Sequence, residues 1–146
     1  MRVLIADDHR LIAEGIRRAL DETDDFDVVG EANTGSQVMP LVRRTSPDLV
    51  LLDLRMPGMD GLACLEQIRE QHPEIKVVIL SAATDPNLIQ TALKRGASAF
   101  VVKSVNPVDL PSALRQAIEG TVFSAIGQDA AAEADAIREY GLTERE

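Results

Sequence analysis

The 146-residue chain has no tryptophan, one tyrosine, three phenylalanines and a single cysteine. One cysteine excludes an internal disulfide and a multi-cysteine zinc site. So few aromatic rings supply a flavin poorly with stacking partners, and neither a Gly-x-Gly-x-x-Gly turn nor a hydroxyl-rich phosphate loop follows the first apolar run. Basic residues are also short. Lys and Arg number 15 against 24 Asp and Glu, for a formal net charge of −9. Residues 1–120 hold 18 acids and 13 bases, and residues 121–146 hold 6 acids and 2 bases. Neither portion has the basic excess that binding a phosphate backbone requires. Apolar runs are only a few residues long, far short of the roughly 20 that span a bilayer. Met1-Arg2 leads through four apolar residues into two aspartates, unlike a secretory signal. The expectation is a cytoplasmic, soluble domain with no membrane partner and no nucleic-acid contact of its own.

What the chain does have is an alternation. Short apolar runs rich in β-branched residues occur at Val3–Ala6, Val28-Val29, Leu49–Leu52, Val77–Leu80 and Phe100–Val102. Uninterrupted runs of this kind read as strands buried on both faces. Between them lie stripes at helical spacing: Leu11, Ile12, Ile16, Ala19 and Leu20, then Val38, Leu41 and Val42. Further stripes are Leu62, Leu65 and Ile68, then Leu88, Ile89, Ala92 and Leu93, then Leu110, Ala113, Leu114, Ala117 and Ile118. Gly96 after Lys94-Arg95 is a helix stop. Five strands alternating with five helices predict right-handed βαβ units and a doubly wound α/β sheet of order 2-1-3-4-5. The ligand site should then lie outside the carboxyl ends of the strands.

Asp7 and Asp8 end the first strand, Asp53 the third, Ser81 the fourth and Lys103 the fifth. Each has an ordinary reading as a cap, a turn residue or a surface charge. In a parallel sheet, however, all these positions meet on one edge. Three carboxylates in one crevice repel each other unless a cation relieves them. Mg²⁺ favours oxygen ligands and typically takes one or two carboxylates plus a phosphate. With Lys103 and Ser81 opposite, the set forms a clamp for a transferring phosphoryl group. Asp53 is placed to be a carboxylate nucleophile.

On Asp7-Asp8, Asp53-Leu-Arg-Met-Pro-Gly-Met-Asp-Gly61, Leu80-Ser81-Ala82 and Gly96 through Lys103, residues 1 to about 120 resemble the receiver domain of bacterial response regulators. The resemblance implies a (βα)5 flavodoxin-like fold. It implies that Asp53 accepts a phosphoryl group from a sensor histidine kinase. It further implies Mg²⁺ or Mn²⁺ held by Asp8, Asp53 and the backbone carbonyl of Arg55, with Asp7 acting through a water. Lys103 would pair with the phosphoryl group or Asp53. Ser81 would swing in to meet the phosphoryl oxygens, and Phe100 would rotate as a switch aromatic, its ordinary reading being strand core. The domain would be regulatory rather than an enzyme, catalysing only its own metal-dependent phosphorylation and dephosphorylation. Ser104 stands where many relatives have proline, and Arg55 and Ala83 stand where relatives tune dephosphorylation.

Residues 121–140 favour helix but lack an apolar stripe, which reads as a helical linker. Leu142-Thr143-Glu144-Arg145-Glu146, with the capping-box spacing of Thr143 and Glu146, resembles the opening of a LuxR-type helix-turn-helix domain. Together with Asp8-His9-Arg10-Leu11 it resembles the NarL/FixJ branch. That implies a DNA-binding output from residues 141–146 onward, DNA contact only through that domain, and homodimerisation on phosphorylation. Two other readings compete: an aspartyl-phosphate phosphatase of haloacid dehalogenase type, and a phosphorylation-independent module of receiver fold. The first needs an aspartate two residues after its nucleophile, where His9 follows Asp7. The acidic stretch Asp21–Asp27 reads as a solvated loop rather than a second cation site. Cys64 reads as a small buried hydrophobe, and His9 as a residue of the first helical turn that could touch the site without a second histidine to pair with.

Overall fold

In a computed structural model, five parallel strands lie in the order β2-β1-β3-β4-β5. They are β1 (Arg2–Ala6), β2 (Asp27–Ala32), β3 (Leu49–Asp53), β4 (Lys76–Ser81) and β5 (Ala99–Val102). The helices between and after them are α1 (Arg10–Asp21), α2 (Gly35–Thr45), α3 (Gly61–Gln71), α4 (Pro86–Lys94) and α5 (Leu110–Ile118), with a 3-10 turn at Pro107–Asp109. The doubly wound, flavodoxin-like α/β architecture is the one expected. The structure describes residues 1–58, 60–81, 86–103 and 106–118. The expected linker at 121–140 and the expected domain start at 141–146 lie outside the described residues, as do Ala83 and Ser104. No helix among the described residues is long and apolar enough to cross a membrane.

Each strand divides its side chains between two cores. Leu4 and Ala6, Val50 and Leu52, Val77 and Ile79, and Phe100 and Val102 pack with α2, α3 and α4. Val3 and Ile5, Leu49 and Leu51, Val78 and Leu80, and Ala99 and Val101 pack with α1 and α5. All of these are fully or almost fully buried. Side chains alternate with period two along a strand. Continuing the α1/α5 parity gives Asp53 as the last residue of β3, and Asp7 and Lys103 as the residues directly after β1 and β5. One rule therefore fills the core and aligns the three charged groups at one edge.

One expected stripe is corrected. The buried residues of α1 are Ala13, Ile16 and Leu20, while Leu11 is 85% exposed. At about 100° per residue, Leu11 sits some 200° round the helix from Ala13 and so points away from the sheet. Gly96 ends α4 as expected, at φ +114°. Ala97 N–H donates to the Ala92 carbonyl (3.0 Å) and Gly96 N–H to that of Leu93 (3.2 Å), a Schellman closure that needs a left-handed residue at Gly96. Cys64 is buried in α3, and burial pushes its thiol up to about 11.

The acidic loop before β2 binds a side chain of the protein itself. Arg115 on α5 donates from Nε to Asp25 Oδ2 (2.6 Å) and from a terminal nitrogen to Oδ1 (3.0 Å). Its guanidinium lies 5.8 Å from the Phe26 ring centroid. The Arg115 hydrogen bonds hold the Asp25 carboxyl down at about 2, against 3.8 when unperturbed. A carboxyl depressed in the fold adds stability above its unfolded value and loses it as pH falls through the folded one. The pair is exposed, so the effect is small. Urea midpoints of wild type and Arg115→Gln should differ at neutral pH and converge between about 3.8 and 2. A gap that persists at the acid end would assign Arg115 a packing role over Phe26 instead.

Candidate functional site

Asp53 closes β3 and is 3% exposed. Its Oδ1 accepts the backbone N–H of Arg55 at 2.9 Å, an Asx turn that holds the carboxylate over the strand end. Its Oδ2 accepts from Lys103 Nζ at 2.7 Å. Asp7, 1% exposed, is pinned by its own N–H on the Ala32 carbonyl at 3.0 Å. Asp7 Oδ1 accepts the backbone N–H of His9 at 2.8 Å and Lys103 Nζ at 3.2 Å. Its other oxygen, Oδ2, is buried with no hydrogen-bond partner among the described residues. Asp8 sits beside them, its side chain 30% exposed.

Lys103 thus bridges two buried carboxylates from the opposite end of the chain. Burial pushes the Asp53 carboxyl above the usual carboxylate range, and the neighbouring Asp7 charge adds to this. The Lys103 and Arg55 N–H hydrogen bonds pull against it. A crevice of about 210 Å³ opens over Asp53, bounded by His9, Arg55 and Lys103 on its polar side and by Ile12, Leu80 and Leu88 on its apolar side. That is ample for a phosphoryl group.

The strand-end residues Asp7, Asp8, Asp53 and Lys103 are therefore brought together as expected. Ser81 ends β4 opposite Val102 and is described by its backbone alone. Phe100 is fully buried in the core shared with α2, α3 and α4. His9 is the residue that sequence reasoning placed too loosely. Its Nδ1 lies 3.1 Å from Asp7 Oδ1, 3.2 Å from Asp8 Oδ1, 4.0 Å from Asp53 Oδ2 and 3.0 Å from Lys103 Nζ. The signal was its position directly after the aspartate pair, at the N-cap of α1.

Residues 3–115 match the family described as the response regulator receiver domain. The chain belongs to this family. The nitrate/nitrite response regulator protein NarL of Escherichia coli strain K12 is 41% identical over 118 residues, covering 81% of this chain and 55% of NarL. This receiver therefore spans about half the length of that relative. A solved signal receiver domain of a NarL response regulator from Mycobacterium tuberculosis is 36% identical, with a TM-score of 0.76 over 82% of this chain and 97% of the other. The isolated receiver domain of RcsB from Salmonella enterica serovar Typhimurium, solved with the phosphomimetic BeF3⁻, is 27% identical. Its TM-score is 0.79 over 91% of this receiver and 97% of the RcsB domain. Response regulator receiver domains are regulatory and work with histidine kinases, and this receiver is of the NarL and RcsB type.

Proposed function

We propose that this receiver takes a phosphoryl group from a sensor histidine kinase on Asp53 and so switches a DNA-binding output domain that lies beyond residue 140. The observation that carries the reading is the Asp53 carboxylate at the base of the crevice. It is held by Lys103 at 2.7 Å and Arg55 N–H at 2.9 Å, beside Asp7 and Asp8. The carboxylate oxygen attacks the phosphorus, the P–N bond of a phosphohistidine breaks, and the imidazole, already protonated on its other ring nitrogen, leaves as the neutral ring. Catalysis of such a transfer is mostly positioning and charge neutralisation.

The donor set suits a hard divalent cation. Asp7, Asp8 and Asp53 offer carboxylate oxygens within one small cluster, and Asp7 Oδ2 is a buried acceptor with no partner among the described residues. Mg²⁺ or Mn²⁺ would be held by Asp8, Asp53 and the Arg55 carbonyl, with Asp7 acting through a water. When bound it supplies positive charge to the phosphoryl oxygens. Lys103 neutralises a second oxygen and Ser81 donates to a third. Phosphorylation adds negative charge at the strand ends. Ser81 and Lys103 follow that charge, Phe100 repacks, and the surface of α4, β5 and α5 shifts between two states. A second copy of the chain reads that surface on phosphorylation, in the cytoplasm.

Intact-mass spectrometry after incubation with acetyl phosphate and Mg²⁺ tests the reading. Wild type should gain one phosphoryl adduct, and Asp53→Asn and an EDTA-treated sample should gain none. Steady phosphate release without an adduct would indicate phosphatase turnover instead. An equal adduct on Asp53→Asn would remove Asp53 as the acceptor.

A further inference from the structure

The crowding around His9 Nδ1 carries an inference that rests on the metal reading above and goes beyond it. This nitrogen stands 3.1 Å from Asp7 Oδ1, 3.2 Å from Asp8 Oδ1 and 4.0 Å from Asp53 Oδ2. Those are the three carboxylates assigned to the cation. A ligand oxygen on Mg²⁺ lies at about 2.1 Å, so an ion shared by Asp8 and Asp53 needs the space between their oxygens. The imidazole nitrogen faces that same space. Two arrangements follow: the ring stays and becomes a ligand, or it leaves. Mg²⁺ is a hard ion that takes oxygen in preference to imidazole nitrogen, which argues for departure.

We propose that the His9 ring is a built-in stand-in for the cation, filling its place beside Asp7 and Asp8 in the metal-free receiver, and that Mg²⁺ binds by displacing it. His9 is then a positioning residue that sets how much Mg²⁺ is needed to arm the site. The ring has somewhere to go, because its side chain is 58% exposed. As N-cap of α1, the His9 side chain makes no capping hydrogen bond, and the bond from its backbone N–H to Asp7 Oδ1 survives any substitution of the ring.

Isothermal titration of Mg²⁺ into metal-free wild type, His9→Ala and His9→Gln tests this. His9→Ala should bind Mg²⁺ about five- to tenfold more tightly, the scale set by one or two partly exposed polar contacts that wild type must give up on displacement. His9→Gln, which keeps an N–H donor on a side chain long enough to reach the carboxylates, should fall back toward wild type. In wild type, the His9 ring proton resonances should move toward those of a free imidazole as Mg²⁺ is added. Unchanged or weaker Mg²⁺ affinity in His9→Ala, with wild type binding normally, would overturn the stand-in role alone, weaker binding making His9 a ligand. Absence of Mg²⁺ binding in both proteins would overturn it together with the metal reading. Thermal unfolding of each metal-free protein shows whether a variant is folded, and any unfolded variant would be replaced by His9→Asn under the same criteria.

Discussion

Replacing Lys103 by methionine is expected to cost about 3 kcal/mol of stability at neutral pH, although methionine matches the aliphatic stem. The Lys103 side chain is 12% exposed and donates to Asp53 Oδ2 at 2.7 Å and Asp7 Oδ1 at 3.2 Å. Removing it leaves two nearly buried carboxylates facing each other without that cation. Loss of one partner of a buried pair is costlier than the pair is worth, because the remaining charge stays desolvated. The pH dependence identifies the cause. Burial already raises the Asp53 carboxyl above its unfolded value of 3.8. The fold thus holds this proton more tightly than the unfolded chain does. Its contribution to stability is full below 3.8 and is lost as pH rises through the folded value. Without Lys103 that rise is larger, so the deficit of Lys103→Met should shrink as pH falls toward 3.8. Asp53→Asn in the same chain should restore most of the loss at neutral pH. Urea unfolding of the two single variants and the double variant measures the coupling. A deficit independent of pH and unrescued by Asp53→Asn would make Lys103 a packing residue.

This same tension explains why the site was largely legible before the structure. Buried parallel strands carry the strongest sequence signal, and a polar residue directly after each apolar run marks where the sheet meets its crevice. Asp7, Asp53 and Lys103 could be placed on one edge from topology alone, and the two-residue alternation further places them on one face. Leu11 was misplaced because a helix start shifts the phase of a stripe. Ala13, Ile16 and Leu20 keep step with the sheet, and the half-buried Ile12 packs beside them. His9 was located but not resolved, since whether a side chain at a helix start turns inward or outward depends on local rotamers, which no periodicity encodes. Close approaches between distant backbones left the weakest trace. Gly61 stood out only as part of a recognised stretch, and nothing in its immediate neighbours announces how tightly it is packed.

Gly61→Ala is accordingly a test in which two effects of opposite sign compete. Gly61 opens α3 behind the cap Asp60, whose Oδ1 accepts from Leu62 N–H at 3.0 Å. Helix propensity alone favours alanine in a helix by about 1 kcal/mol. Against that, a Cβ here would lie 2.4 Å from Leu54 Cα and 2.5 Å from the Leu54 carbonyl oxygen. These are backbone atoms, so no rotamer change relieves the overlap. Either α3 backs away from β3 or the segment after Asp53 is pushed. We expect the clash to win, with a net loss of about 2–3 kcal/mol. The loss should also reach the site. Leu54 lies between Asp53 and Arg55, whose N–H fixes the carboxylate at 2.9 Å, so moving Leu54 moves that turn. Leu65→Ala is the matching control: Leu65 is fully buried on the same helix, and its truncation costs about 2–5 kcal/mol without pressing any new atom against the Leu54 backbone. At comparable stability, Gly61→Ala should phosphorylate more slowly with acetyl phosphate than Leu65→Ala. Equal rates would confine Gly61 to packing. A neutral or stabilising Gly61→Ala would mean that α3 can retreat from Leu54 at little cost, and the close approach would then have no part in holding Asp53.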